Sequence, residues 1–388
     1  MPMSSQLQFL IAIDGRSLRG ERTGVGTYTY NLLQHLPLLD PFLRILLIAD
    51  GDLEAPSWTG AEGIQFLNIP SRSLNNFVWT NLSLARRLKK VPCDIFHSPG
   101  YTIPLWLHVP SAVTIHDVSY AVNPRWYSYK NSVARRAWYR LSARRASLIL
   151  TPSEFSRREI MRVYGTPAHK IFVVSMGVEK RTFRNVKEAE PLQDLRRRYK
   201  LNGDFLLFVG DIHHRRNIKR IIQAFTVIKG LNDKDLELVL IGRILDDSIS
   251  SQQVSNSPHG KSIRLLGYVP ENDLALFYSL ARAFVFPSFY EGFGLGVAEA
   301  MACGCPVIVS RGTVCEEVAG NAAVLVDPND TQSIAEAMIG ILKNRDLAAQ
   351  KSEAGLIRSE QFSWRRTAEQ TLLAYRHLAR LQAIAGQL

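Results

Sequence analysis

Short apolar runs bounded by turn residues alternate along the chain with longer stretches of amphipathic spacing, the pattern of parallel strands joined by crossover helices. In the first half the runs predict strands at 8–13, 44–49, 64–68, 95–97, 111–115, 148–151 and 171–174. In the second half they predict strands at 205–209, 237–241, 263–266, 283–286, 306–309 and 323–326. The two sets read as separate sheets. Between them lies a charged segment, 179–200, that contains Glu190-Pro191 and runs into a helix at 192–199. Two doubly wound sheets joined there place a ligand cleft at the carboxyl ends of their strands. The expected division is an N-terminal Rossmann-like domain over 1–182, a second over 183–362, and a C-terminal helix over 363–388 that packs back towards the first. Within that helix Leu372, Tyr375, Leu378 and Leu381 are spaced as one apolar stripe.

Composition narrows the class. With 388 residues, 46% hydrophobic and 21% charged, the chain is neither disordered nor collagen-like nor a disulfide-stapled scaffold. Its net charge of +12 is unevenly placed: 21 Lys/Arg against 12 Asp/Glu in residues 1–180 give +9, and the remaining 26 against 23 give +3. Such an excess admits nucleic acid, anionic lipid or a phosphorylated small molecule as partner. Cys93, Cys303, Cys305 and Cys315 form neither a paired disulfide framework nor the two-plus-two spacing of a zinc site, so a reduced, cytoplasmic protein is expected. No window approaches the ~20 apolar residues of a spanning helix, and the start lacks a signal peptide's basic region, so a soluble or peripheral protein is expected.

Three segments at strand ends carry candidate chemistry. The first runs from Pro287 through Glu291-Gly292-Phe293-Gly294-Leu295 to Glu299, with a helix expected over 295–302 whose first N–H groups favour a phosphate or a sugar oxygen. Eight residues apart on a helix, the two carboxylates would lie ~12 Å apart along the axis, which fits two contacts along one ligand better than the paired carboxyls of glycoside hydrolysis. A Gly-rich turn with a solvated Glu291 and a structural Glu299 is the competing reading. The second segment, Gly210 to Asn217, holds adjacent Arg215 and Arg216, suited to a pyrophosphate, against which stands a solvated basic loop. The third, 22–30, has Gly24 and Gly26 before a helix at 31–36 and lets backbone approach a bulky ligand, or is a plain loop. His116, just past a strand, faces a cleft or is a satisfied structural histidine.

Together these residues resemble the retaining glycosyltransferases of family 4, with the GT-B fold: α/β, two Rossmann-like doubly wound parallel-sheet domains facing each other across a cleft. The matching motifs are E-G-F-G-L-x-x-x-E-A at 291–300, G-C-P-V-I at 304–308, F-V-G-x(5)-R-N at 208–217 and T-G-V-G-T-Y at 23–28. D-I-F-H-S-P at 94–99, I-H-D at 115–117, S-E-F-S at 153–156, G-Y-V-P at 267–270 and V-D-P-N-D at 326–330 complete the set, in family order over nearly the whole chain.

The resemblance implies a nucleotide-sugar donor held mainly by the second domain, with no cofactor and no metal. Arg215 and Arg216 match the pair on the diphosphate, Glu299 the acid on the ribose and Glu291 the acid on the transferred sugar. Gly24 and Gly26 match the first-domain loop over the diphosphate, and His116 the histidine beside the donor sugar, so that His116, Glu291, Arg215 and Arg216 are the catalytic set. Gly210, Gly292, Phe293, Gly294 and Leu295 border the donor, and Tyr268 with Val269 falls where the base is bracketed. Arg216 replaces the family's usual Lys, Gly296 and Glu316 replace frequent prolines, and Asp211 stands where some members place another Arg.

The implied reaction transfers a hexose with retention, mannose from GDP-mannose being the expected donor, to a glycan or lipid-linked saccharide acceptor in cell-surface polysaccharide synthesis. The two D-x-D patterns, Asp50-Gly51-Asp52 and Asp233-Lys234-Asp235, read as solvated loops. A sugar-nucleotide epimerase or phosphorylase of related fold is the enzymatic alternative, and a basic membrane or nucleic-acid binding protein the non-enzymatic one. The latter rests on two aromatic and basic stretches, Trp79 with Arg86 and Arg87, and 126–145 with Arg136, Arg140 and Arg144 at helical spacing. These suit an anionic membrane surface, or else pack their aromatics inward, and nucleic acid is not expected.

Overall fold

The computed structural model describes residues 9–20, 24–51, 63–70, 76–126, 132–230, 235–245 and 254–385. Its strands are β1 (Phe9–Asp14), β2 (Leu43–Ala49), β3 (Ile64–Asn68), β4 (Ile95–Ser98), β5 (Ser111–Thr114), β6 (Leu148–Thr151) and β7 (Ile171–Val173), followed by β8 (Phe205–Val209), β9 (Glu237–Ile241), β10 (Ile263–Gly267), β11 (Ala283–Phe286), β12 (Val307–Ser310) and β13 (Ala323–Val326). Every run read as a strand is one. They build two all-parallel sheets, in the orders β3-β2-β1-β4-β5-β6-β7 and β10-β9-β8-β11-β12-β13. Parallel strands are covered on both faces, so they appear in sequence as unbroken apolar runs. In β4, β5, β6, β11 and β12 every residue is buried.

The chain divides into two compact units, 1–177 with Trp364–Leu388, and Val178–Ser363. It therefore enters the second unit at Val178, five residues before the boundary expected at 183. Within the first unit the helix Trp364–Ala385 is fastened by bonds from several of its turns: Thr367 Oγ1 donates to Ser175 O at 2.7 Å, Arg376 to Asp40 at 2.8 Å, and the Tyr375 hydroxyl meets His97 Nδ1 at 2.6 Å. Leu372, Tyr375 and Leu378 are buried, whereas Leu381 is 50% exposed, so the stripe ends a turn earlier than its spacing implies.

In each sheet the strand order reverses once, between β1 and β4 in the first and between β8 and β11 in the second. Loops leave the carboxyl ends of such a pair in opposite directions and open a crevice there, where doubly wound sheets take their ligands. Two local expectations need correction. The helix read as 31–36 is Gly24–His35, so Gly24 and Gly26 lie in its first turn and not in a loop before it. Tyr28, Leu32 and Leu36 form a buried row at i, i+4 spacing, and their burial outweighs the ~1 kcal/mol that a glycine costs a helix. Trp79, read as part of an acceptor or membrane surface, is 1% exposed. Its indole donates to Ile69 O at 3.2 Å, and the Arg16 guanidinium lies 4.4 Å above its ring.

Candidate functional site

The second unit gathers its candidate residues at the β8/β11 switch point. After Val209 the chain turns through Gly210, φ +144°, alongside Gly242, φ +143°, at the end of β9. A Cβ on Gly242 would stand 2.0 Å from Gly210 O, so only glycine lets these two backbones touch. The turn His214–Arg216 then leads to Asn217, in left-handed conformation, from which the helix Ile218–Lys229 starts. Asn217 Nδ2 donates to Pro287 O at 3.0 Å and to Pro328 O at 2.7 Å, while Phe289 N donates to Arg215 O at 3.0 Å. These bonds lash the loop after β8 to the loops after β11 and β13.

The lashing brings three charges together. Arg216 Nη1 lies 2.6 Å from Glu291 Oε1, and Arg215 Nη2 lies 3.8 Å from Oε2. The three side chains are at most 17% exposed, so two guanidiniums and one carboxylate share a poorly solvated site. Such a site favours an anion. Arg216 also stacks over Phe286 at 4.9 Å, and its Nε, though buried, makes no hydrogen bond. His213, on the same turn, is buried and lowered to about 2, by desolvation first and then by Arg215 and Arg216, so it adds no charge of its own.

The helix Leu295–Ala302 begins beside them. Its N-cap is Gly294 at φ +88°, which supplies no side-chain oxygen to the first-turn amides. A polar ligand oxygen is the natural partner for such amides. Glu291 precedes this helix and only Glu299 lies on it, so the ~12 Å helical spacing expected for the pair does not apply. Glu299 receives the Tyr278 hydroxyl at 3.3 Å, and desolvation, reinforced by Glu271, raises its carboxyl to about 8. Gly296 leaves room for that contact, since a Cβ there would come 3.2 Å from the Tyr278 hydroxyl.

The remaining sequence candidates fall as follows. Gly292 is buried; Phe293 is buried edge-on against Phe362 at 5.4 Å, so its ring serves the core. Val269 is buried and Tyr268 is 69% exposed, both just beyond β10. Asp211 is held by Arg243 at 3.0 Å, and Glu316 accepts from Gly312 N. Asp50 pairs with Arg19; Asp52, Asp233 and Lys234, like Arg22, Thr23, Tyr127, Tyr129 and Lys130, lie outside the described residues. Arg86, Arg87, Arg140 and Arg144 are exposed and Arg136 is half-buried. Among the described residues no three His, Cys, Asp or Glu side chains are grouped as a metal site requires.

In the first unit His116 follows β5. Its Nε2 donates to Pro99 O at 3.0 Å, the Tyr28 ring meets it edge-on at 5.1 Å, and burial lowers its pKa, so the imidazole is neutral. The same unit holds a buried hydrogen-bonded chain whose pairing the sequence motifs did not reveal. His97 bonds the Tyr375 hydroxyl through Nδ1 and Thr114 Oγ1 through Nε2 at 2.8 Å, and Thr114 is 3.3 Å from the Tyr28 hydroxyl. Desolvation, then His116, lowers His97 to about 3.

Comparison with known proteins matches residues 193–357 to the family described as glycosyl transferases group 1, and residues 22–181 to Glycosyltransferase Family 4. The O-antigen chain mannosyltransferase B of Escherichia coli is 34% identical over 285 residues, covering 73% of this chain and 74% of that one. The O-antigen chain mannosyltransferase RfbU of Salmonella typhimurium is 31% identical over 63% of each. Against the longer serotype-specific mannosyltransferase WbdA of E. coli, the chain is 26% identical and spans 36% of its length. Among solved structures, sucrose-phosphate synthase from Thermosynechococcus elongatus superposes with a TM-score of 0.76 at 20% identity, covering 95% of this chain and 99% of that one. Anabaena Alr3699/HepE, solved with UDP and glucose, gives 0.75 at 17%, covering 95% and 100%. The fold is GT-B, and the chain belongs to glycosyltransferase family 4. It is a glycosyltransferase.

Proposed function

We propose that the chain is a retaining mannosyltransferase, moving mannose from GDP-mannose to a hydroxyl of a glycan or lipid-linked saccharide in the assembly of an O-antigen-like polysaccharide. The observation that carries the donor site is the buried Arg215–Arg216–Glu291 cluster beside the start of the Leu295–Ala302 helix. The sugar comes from the kinship with mannosyltransferases. Breaking the anomeric bond leaves an oxocarbenium-like sugar and an anionic diphosphate. Arg215, Arg216 and the amides of Gly294 and Leu295 stabilise that diphosphate where its charge develops, and each such contact is worth about 10²–10³ in rate. Glu291 turns from the arginines to the sugar, and Glu299 accepts from the ribose hydroxyls. By its I-H-D motif, His116 is proposed as a catalytic residue of the first unit. The guanidinium pair supplies the cationic role, so the transfer needs no metal, and chelator leaves its rate unchanged. The acceptor hydroxyl attacks on the face the diphosphate leaves, its proton passing to the departing phosphate oxygen, and the anomeric configuration is retained.

The acceptor is proposed to be met at the cytoplasmic face of an anionic membrane. Exposed Val78, Leu82 and Leu141 accompany exposed Arg86, Arg87, Lys89, Lys90, Arg140 and Arg144, and no acid lies within 76–90 or 132–145. Apolar groups beside cations suit a bilayer interface. No described helix is long and apolar enough to cross a membrane.

A screen of nucleotide sugars by thermal shift and by release of nucleoside diphosphate, repeated with Glu291→Ala, tests the reading. GDP-mannose stabilises the protein, releases GDP only with an acceptor, and is turned over at least 10²-fold more slowly by the variant. Failure of every nucleotide sugar to bind would overturn it.

A further inference from the structure

Several sequence motifs of the first unit carry residues that the chemistry above leaves without a task. T-G-V-G-T-Y ends in Tyr28, D-I-F-H-S-P holds His97 and Pro99, and S-E-F-S ends in Ser156. In the structure all of them join one buried assembly around His116.

The histidine is held on several sides. Ser156 Oγ donates to His116 O at 3.1 Å and fixes its backbone. Pro99 O, a carbonyl that can only accept, takes the Nε2 proton at 3.0 Å, so a neutral His116 keeps Nδ1 as an acceptor. The Tyr28 ring meets the imidazole edge-on at 5.1 Å, and the Tyr101 ring lies 5.8 Å away. Tyr101 stands at φ +62°, which costs nothing for glycine but strains a residue with a Cβ. Its N–H on Thr114 O at 3.0 Å and its stacking on Tyr139 keep it there. Strain persists where the surroundings over-determine it, and here it sets a ring against the histidine.

Tyr28 is itself anchored from behind, by a chain whose members Tyr375, His97, Thr114 and Tyr28 are at most 2% exposed. Thr114 Oγ1 gives its one proton to the Tyr28 oxygen at 3.3 Å, so it accepts from His97 Nε2 at 2.8 Å. His97 Nδ1 is then the bare nitrogen and accepts from the Tyr375 hydroxyl at 2.6 Å. Each link fixes the direction of the next, and breaking one leaves a buried group unpaired. The chain starts on the helix Trp364–Ala385 and ends on the helix Gly24–His35, one turn beyond Gly24. Phenylalanine at 28 would fill the same space without burying a hydroxyl, so what the chain adds is a fixed orientation of the ring.

We propose that Tyr28 is a positioning residue for the transfer reaction: the His97–Thr114 chain fixes its ring, and the ring, together with Pro99 O, holds the His116 imidazole with Nδ1 kept as the acceptor for a substrate hydroxyl. The proposal rests on the catalytic assignment of His116 made above and adds the residues that hold it in place.

Two variants test it in the full-length protein, with GDP-mannose and a mannose-terminated lipid-linked acceptor. Tyr28→Phe removes only the hydroxyl, Thr114→Val breaks the chain one link earlier, and each is measured alone and combined with His116→Ala. Since a misplacement of ~1 Å costs about 10²-fold, each alone should lower kcat about ten-fold, with KM for GDP-mannose and GDP affinity near the parent's. Neither should lower kcat further once His116 is alanine. In ¹⁵N spectra of the imidazoles, His116 carries its proton on Nε2 in the parent, and Tyr28→Phe shifts its resonances. Unchanged kcat in both variants, where His116→Ala loses activity, overturns the proposal. So does a loss that persists in full in the His116→Ala background, or His116 resonances that Tyr28→Phe leaves in place. A His116→Ala protein as active as the parent instead refutes the assignment of His116, and a parent that turns over no GDP-mannose refutes the donor. In either case the imidazole spectra, which need no turnover, decide whether Tyr28 positions the ring.

Discussion

At the residue scale the central fact is that Glu291 neutralises part of an arginine pair when no anion is present. Removing it leaves Arg215 and Arg216 buried together, and an orphaned buried charge costs about 3–5 kcal/mol. The Glu291→Gln variant is therefore expected to lose stability in urea denaturation, yet to gain a larger thermal shift from GDP than the parent, because the diphosphate replaces the missing carboxylate, while transfer is lost. Glu299 makes a pH prediction. Its folded value, about 8, lies above that of a free carboxyl, so the stability it contributes is complete below about pH 4.5 and is lost as pH rises through 8. Melting curves should show Glu299→Gln gaining on the parent between pH 5.5 and 8.5; a constant Tm difference across that range would contradict the assignment. That both arginines and Glu291 stand in loops after strand ends was legible in the sequence through motif and spacing. Their pairing was not, because it depends on Asn217 and Phe289 lashing together loops 70 residues apart.

At the scale of elements, strands were the easiest to read and helix starts the hardest. A buried parallel strand must be apolar throughout, so its limits are written in its own residues. The start of the Gly24–His35 helix is set by what it packs against, and Trp79 is buried because Ile69 and Arg16 cover it. Nothing local in either segment encodes that. The C-terminal helix shows the same division. Its apolar stripe was visible, but Tyr375 serves as a hydrogen-bonding residue as well, and its hydroxyl is the partner of a His97 with no exposed surface. Tyr375→Phe leaves His97 Nδ1 unsatisfied and should cost about 1–3 kcal/mol in the urea transition of the full chain. A neutral result would mean that a water or a shifted side chain takes over the bond. Gly294→Ala forces a left-handed conformation on a residue with a Cβ and presses it to 3.2 Å from Cys315 Sγ, so about 1–2 kcal/mol is expected there, with weakened GDP binding.

At the scale of the whole molecule, the uneven charge separates two kinds of basic residue. The second unit is near neutral and gathers two guanidiniums and one carboxylate at a buried switch point. The first carries the positive excess, much of it on the exposed faces of its helices. Exposed charge of that kind is screened by salt. Co-sedimentation with vesicles containing phosphatidylglycerol should therefore fall with ionic strength and with Arg140→Glu/Arg144→Glu, without loss of GDP binding; equal sedimentation with neutral vesicles would remove the membrane from the account. The most direct test of the central claim is to incubate the protein with GDP-α-mannose labelled at the anomeric carbon and a mannose-terminated lipid-linked acceptor, and to read the product by NMR. One GDP released per α-linked mannose formed, in chelator and in parent but not Glu291→Ala protein, is the predicted result. A β-linked product, or GDP released with no sugar transferred, would contradict it.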